Sequence, residues 1–178
     1  MTFRLRKKLS AFGRGEDGIA SVEFALLFPV VFFMFIWAVE LGILMTKSVM
    51  LEHGLDLTMR ELRLGRLENP TSDSLKDDIC SHLNLISDCR STIMIELQPI
   101  RTDTWALPAQ PVTCRDRDEE IVPVLSFSMG QSNEIMLVRA CVIVQTLFPG
   151  TGIGAMLNKD ASGGFGIAAM SAFVNEPA

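Results

Sequence analysis

The stretch GEDGIASVEFALLFPVVFFMFIWAVEL, at residues 15–41, decides the fold of this chain. It starts with charged and small residues and then becomes almost wholly apolar, with no charged side chain from Phe24 to Val39. The apolar character extends over residues 19–45, and these 27 residues would form a helix about 40 Å long, enough to cross a hydrocarbon core of roughly 30 Å. The stretch therefore predicts one transmembrane helix, which Pro29 should kink or loosen because it removes a backbone hydrogen bond.

The charges of the chain are unevenly distributed. The net charge is −5, yet residues 1–18 carry five basic side chains against two acidic ones, whereas the remainder carries 11 basic and 19 acidic side chains. Basic residues that flank a membrane span stay on the cytoplasmic side, so we expect the N-terminus inside and the bulk of the chain outside the cytoplasm. An acidic exterior lacks the clustered Lys and Arg that bind phosphates, so we expect no nucleic-acid partner.

Glu23 lies just inside the apolar run, where a carboxylate is costly: about 2.5–3.5 kcal/mol at the bilayer centre and less near the interface. One interpretation places it at the headgroup level, at little cost. The other gives it a cationic partner, since a cut between Gly18 and Ile19 would create an α-amine one helical turn away, on the same chain or on a neighbouring subunit. No A-x-A-like site follows the apolar core, so an ordinary secretory signal is not expected.

The leader that ends at Gly18, the small or apolar run over 19–22, Glu23 and the apolar helix together resemble the class III signal of type IV pilin-like proteins. More narrowly, GIASVEFALLFPVVFFMF resembles the TadE-like family of minor pilins (pseudopilins) of the tight-adherence pilus system. That family typically has G-x-x-x-V-E-F-A-L, further apolar residues and a proline. The matching residues are Gly18, Val22, Glu23, Phe24, Ala25, Leu26 and Pro29.

The resemblance is looser over VMLEHGLDLTMRELRLG, at residues 49–65, and returns at SAFVNEP, at residues 171–177. Val174 stands there in place of the arginine that the family usually has. The resemblance implies that prepilin peptidase cuts between Gly18 and Ile19, so that Glu23 becomes the fifth residue of the mature chain and acts in recognition or assembly.

The partners that the resemblance implies are prepilin peptidase, other minor and major pilins, inner-membrane platform proteins of the pilus machine, and membrane lipid. The implied location is the bacterial inner membrane, crossed once, with a cytoplasmic N-terminus and a periplasmic C-terminal domain. Incorporation into a surface pilus, and with it a part in cell adhesion, stays open.

Beyond the membrane, apolar residues approximate one helical stripe, so the helix should continue to about Gly65 as a stalk. A break near Gly54 is the alternative. Ser74 with Asp77 fits a capping box and predicts a second helix over about 74–87. The residues of the stripe are Leu44, Leu51, Leu55, Met59 and Leu62.

After Cys89 the pattern becomes typical of strands, in four segments that end with the closing run of the chain. The fold class predicted is α+β and pilin-like: a long N-terminal membrane-spanning and stalk helix, a second short helix, and an antiparallel sheet of about four strands on the stalk. The strand segments are residues 91–100, 121–130, 133–150 and 163–177. The expected parts are a leader (1–18), a transmembrane helix (19–45), a stalk (46–67) and an extracytoplasmic globular domain (68–178).

The chain has four cysteines, an even number in a domain expected outside the cytoplasm, which indicates disulfides. Of the three possible pairings we favour Cys80 with Cys89, at the end of the second helix, and Cys114 with Cys141, between a loop and the longest strand. A zinc site with Cys80, His82 and Cys89 is the weaker alternative, because the spacing is short and no C-x-x-C is present.

Motifs for catalysis are weak. The chain has two histidines and no G-x-S-x-G elbow, and PGTGIGAML at residues 149–157 lacks the Lys-Ser/Thr of a phosphate-binding loop. We expect no enzyme activity and no cofactor or metal. Two alternatives stay open: an uncleaved, signal-anchored periplasmic binding or scaffold protein of an envelope complex, and a membrane-anchored enzyme that uses the acidic run DRDEE at residues 116–120.

Overall fold

The protein is described here by a computed structural model, which covers residues 19–67, 70–108, 110, 112–115 and 125–175. The leader with Gly18, the acidic run at 116–120 and the last residues of the chain lie outside the described residues. The chain divides between Val39 and Glu40 into two compact units.

Helix α1, Ile19–Arg63, is 45 residues long and contains Pro29. It supplies the described part of the first unit and continues into the second. It passes through Gly54 without a break, so the stalk is one helix and not two. Within the described residues, α1 alone is long and apolar enough to cross a membrane.

The end of α1 is set by Gly65, which adopts the left-handed conformation with φ of 66°. The amide of Arg66 donates to the carbonyl of Glu61 and the amide of Gly65 to that of Leu62, both at 3.1 Å. These two bonds form a Schellman motif, which satisfies carbonyls that the last turn would leave unpaired. The predicted end near Gly65 is therefore explained by a backbone conformation that glycine adopts without strain.

The second helix differs from its predicted bounds at both ends. Helix α2 is Ser72–Ser81, with Thr71 as the N-cap; the hydroxyl of Thr71 accepts from the amide of Ser74, and the hydroxyl of Ser74 accepts from the amide of Thr71. The capping box thus begins one turn before the predicted Ser74–Asp77 pair. Thr71 takes the role because it immediately precedes the helix in an extended conformation.

The helix also ends before residue 87, because Cys80 and Cys89 are joined with their Cα atoms 5.7 Å apart. A helix continued to that point would separate these Cα atoms by about 13 Å, at 1.5 Å per residue. The chain therefore turns at His82 and forms the short helix α3, Cys89–Thr92.

Three antiparallel strands follow in the order β1-β2-β3: β1 is Met94–Ile100, β2 is Ile135–Val144 and β3 is Phe165–Val174. The α+β class is confirmed, but the described residues contain three strands and not four. Of the run predicted at 121–130, residues 125–130 are described, and only Phe127 bridges to β1, parallel to Leu97.

The reason for this single bridge lies in β1. Leu97 donates its amide to the carbonyl of Ser126 at 3.0 Å and accepts from the amide of Ser128 at 2.9 Å. The next residue whose nitrogen faces this edge is Pro99, which has no N–H to donate. The pairing therefore cannot extend past Leu97 in that direction.

One face of the sheet packs against α1 and α2 to form the hydrophobic core. All five residues of the predicted α1 stripe are buried, with Leu51 and Leu55 fully so. Each large apolar side chain buried in this way contributes roughly 1.5–3 kcal/mol to stability. The strand residues on this face include Ile95, Leu97, Met136, Val138, Ala140, Val142 and Ile167.

Candidate functional site

The membrane-crossing part of α1 exposes its apolar side chains. Phe24, Phe28 and Phe32 follow one another at a spacing of four residues, and their ring centroids lie 5.2 and 5.6 Å apart. Their exposed fractions are 66%, 50% and 47%. An apolar surface of this extent is suited to lipid or to the helices of neighbouring proteins, and not to water.

Ile19 is the first residue of α1, and Glu23 follows one helical turn later with an exposed side chain. Glu23 is therefore placed where a positive charge on Ile19, or on a neighbouring chain, could reach it. Gly18, the other half of the expected cleavage site, lies outside the described residues.

Glu40 is a functional candidate that the sequence patterns did not identify. It is 1% exposed, and its Oε1 accepts a hydrogen bond of 3.0 Å from the amide of Phe148. Its Oε2 has no partner among the described residues. In the sequence, Glu40 only marks the end of the uncharged run. The signal that could have found it is its position on the buried stripe, four residues before Leu44.

The segment that Glu40 holds connects β2 to β3 and contains the short helix α4, Gly152–Met156. Gly154 lies against Phe148 and Glu40: a Cβ added there would be 2.4 Å from the carbonyl oxygen of Phe148 and 3.2 Å from Oε1 of Glu40. A residue larger than glycine would push these groups apart. The glycine-rich run at 149–157 thus serves close packing on α1.

Lys47 forms a second link between α1 and this segment. Its Nζ donates to the carbonyl of Gln145 at 3.2 Å. Burial removes water from the ammonium group and lowers the pKa of Lys47 from its usual value of 10.5. Glu40 and Lys47, two turns apart on α1, thus both bind backbone groups of the same connection.

The two disulfides in the structure are Cys80–Cys89 and Cys114–Cys141, the pairings favoured from the sequence. The second lies over the sheet beside Gly166, where an added Cβ would be 2.6 Å from the sulfur of Cys114. The absence of a side chain at this position therefore leaves the space that the disulfide occupies.

The face of the sheet opposite the core carries an ion pair. Glu96 on β1 and Arg139 on β2 are directly paired, and Nε of Arg139 lies 2.8 Å from Oε2 of Glu96. Arg139 also donates to the carbonyl of Gln110 at 2.6 Å, and Ser126 donates to the other oxygen of Glu96 at 3.1 Å. The pair therefore connects the sheet to two loops.

Within the described ranges, no three His, Cys, Asp or Glu side chains come together as a set of metal ligands. Cys80 and Cys89, two ligands of the zinc alternative, are bonded to each other. His53 and His82 are both exposed. The acidic run of the enzyme alternative, at 116–120, lies outside the described residues.

These features define the class of protein: an α+β domain, closed by two disulfides, whose core includes the continuation of one long apolar helix. Residues 18–56 match the family model described as TadE-like protein, the same family that this stretch of sequence resembles. No curated protein and no solved structure was found to match the chain.

The matched segment contains both carboxylates of interest, Glu23 and Glu40. Together with the apolar helix, it fits a membrane-anchored protein associated with the tight-adherence pilus system. The family is one of structural proteins rather than enzymes and suggests interaction with other proteins of the pilus system.

Proposed function

We propose that this protein is a minor pilin, or pseudopilin, that takes part in assembling a tight-adherence type IV pilus. The observation that carries the proposal is the family match over residues 18–56, which includes the junction of Gly18 with Ile19. After cleavage there by prepilin peptidase, α1 would anchor the mature protein, and the domain from residue 68 onward would lie in the periplasm.

The exposed side chains of Phe24, Phe28 and Phe32 support a role for α1 beyond anchoring. In the inner membrane it contacts lipid, and in an assembling pilus it would pack against the helices of other pilins. Glu23 would pair with the α-amine of Ile19 on its own or a neighbouring chain and so set the axial position of each subunit. The protein itself would perform no chemistry, so the energy for assembly would come from another protein.

The disulfides support a periplasmic location for the domain. Disulfides form and persist in the oxidising periplasm and are rare in the cytoplasm. With both pairs in the second unit and five basic residues in the leader, the N-terminus would be cytoplasmic and the domain periplasmic.

The experiment that tests the proposal is N-terminal sequencing and intact-mass measurement of the protein extracted from membranes of cells with an active prepilin peptidase. A mature chain that begins at Ile19 is the expected result. Replacing Gly18 with valine should block the cut, whereas the matched change Gly15→Val, three residues earlier in the leader, should not. A wild-type chain that still begins at Met1 or Thr2 would overturn the proposal and favour the uncleaved periplasmic scaffold.

A further inference from the structure

The connection between β2 and β3 carries an apolar surface that the core does not use. Leu147, Phe148 and Met156 are exposed to 54%, 42% and 86%. No charged residue lies between Arg139 and Lys159, so the exposed side chains are set in an uncharged stretch of chain. We call residues 147–156 the anchor-side loop.

Hydrogen bonds fix the position of the anchor-side loop along α1. The carboxylate of Glu40 accepts from the amide of Phe148 at 3.0 Å, and Lys47 donates to Gln145, just before the loop, at 3.2 Å. The contact of Gly154 with Phe148 and Glu40 adds a third constraint. The loop is thus attached where α1 enters the second unit.

Chain connectivity relates this attachment to the membrane. Glu40 directly follows Val39, which ends the uncharged run, and Trp37, an aromatic residue of the type that favours the membrane interface, lies one turn before it. The other end of the sheet lies far from this attachment, because Ile135 and Val144 are nine residues apart on β2, or about 30 Å. The exposed Leu107 belongs to the loop that follows β1 at that far end.

We propose that the anchor-side loop inserts Leu147, Phe148 and Met156 into the interfacial layer of the bilayer. The partner is a lipid surface, and the inference rests on membrane anchoring by α1. Two observations favour lipid: the loop is uncharged, and it is attached at Glu40, the residue that directly follows the uncharged run of α1. Inserted side chains of this kind reach about 5–10 Å into the boundary between headgroups and acyl chains.

The loop would then limit how the domain can move relative to the bilayer before the protein is incorporated into an assembly. A single helix leaves a domain free to tilt and rotate, whereas a second contact removes part of this freedom. Glu40 and Gly154 are positioning residues in this arrangement, since they act through the backbone of Phe148.

The test uses the full-length protein reconstituted in phosphatidylcholine vesicles, in a tryptophan-free background made by Trp37→Phe and Trp105→Phe. Single tryptophans are then introduced at Met156 in the loop, at Val31 in the anchor and at Leu107 at the far end of the domain. Each position is exposed, so the substitutions leave the core intact. The readout is quenching of emission by phospholipids brominated near the top of the acyl chains.

We expect the Met156→Trp probe to lose about half of its emission and to shift to the blue, as a side chain at about 5–10 Å depth would. The Leu107→Trp probe should be unaffected. If the emission of Met156→Trp is as little quenched as that of Leu107→Trp while the emission of Val31→Trp is quenched, the proposed insertion of the loop is overturned. Membrane anchoring by α1 is then still supported. If Val31→Trp is itself unquenched by lipids brominated deep in the acyl chains, anchoring and the loop contact both fail.

Discussion

Arg139 and Glu96 form a directly opposed pair across β1 and β2, with side chains only 12% and 13% exposed. The pair binds the carbonyl of Gln110 through Arg139 and the hydroxyl of Ser126 through Glu96. The outer face of the sheet is therefore held to the two flanking loops by charge-assisted hydrogen bonds, which are stronger than those between neutral groups.

Replacing Arg139 with methionine should destabilise the domain by about 2–3 kcal/mol, between the cost of breaking an exposed pair and that of breaking a fully buried one. The loss arises because the Glu96 carboxylate stays largely buried without its counter-charge. Urea unfolding of the detergent-solubilised protein measures it. The exposed pair Arg101–Asp103 is the control, and Arg101→Met should cost below about 1 kcal/mol. Equal losses for the two variants would contradict the role given to burial.

Glu40→Ala should destabilise the anchor-side loop, because it leaves the amide of Phe148 without its acceptor. The expected cost is about 1–3 kcal/mol, and hydrogen exchange at Phe148 should become faster. Glu40→Gln keeps an acceptor oxygen and should retain most of the protection, and Glu52→Ala, at an exposed position of α1, should change nothing. An equal loss of protection in Glu40→Gln would show that the loop depends on the charge and not on the acceptor.

Gly166→Ala should interfere with the Cys114–Cys141 disulfide, since the new methyl group would lie 2.6 Å from the sulfur of Cys114. The expected result is a fraction of protein with two free thiols, detected as a mass increase after alkylation without reduction. Gly150→Ala is the matched control, because nothing lies within 4 Å of a Cβ at that position. Complete disulfide formation in Gly166→Ala would contradict this account of the glycine.

Removing either disulfide should lower the free energy of unfolding, and the loss should be larger for the bond that closes the longer loop. The Cys80–Cys89 and Cys114–Cys141 bonds span sequence separations of 9 and 27 residues. Chain entropy gives about 2.5 and about 3.5 kcal/mol for loops of these lengths. Paired Cys→Ala variants, unfolded in urea, measure the two losses. The reverse order would show that local contacts outweigh loop length.

Glu23→Ala should leave membrane insertion intact and impair pilus assembly, because the anchor keeps its apolar length and loses the carboxylate expected to pair with an α-amine. Membrane fractionation measures insertion, and the amount of sheared surface pili measures assembly. Glu52→Ala, on the same helix outside the apolar run, is the control. Normal piliation in Glu23→Ala would remove the role of this residue in setting register.

The long helix could be predicted from sequence because its cause is local. An apolar run of sufficient length and a stripe from Leu44 to Leu62 are visible in the order of residues alone, and so is a glycine at the helix end. The disulfide pairs could also be anticipated, since Cys80 and Cys89 lie close together in the sequence at the end of the second helix, which leaves Cys114 and Cys141 to join a loop to the longest strand.

Features that depend on pairing between distant segments could not be predicted. Among the described residues, the fourth strand is reduced to one bridge at Phe127, because Pro99 lies on the edge of β1 that further pairing beyond Leu97 would use. Only the register of β1 reveals this. Glu96 and Arg139 become partners through the same register. Glu40 was missed because its partner is a backbone amide 108 residues away, to which no side-chain pattern points.

The uninterrupted course of α1 has a mechanical consequence. Leu51 and Leu55, in the centre of the core, belong to the same helix as the apolar run. A pulling force on the anchor therefore reaches the core through the hydrogen-bonded backbone of one helix. Extraction of the anchor would therefore load the packing of Leu51 and Leu55 in the core, because these residues belong to the helix that is pulled.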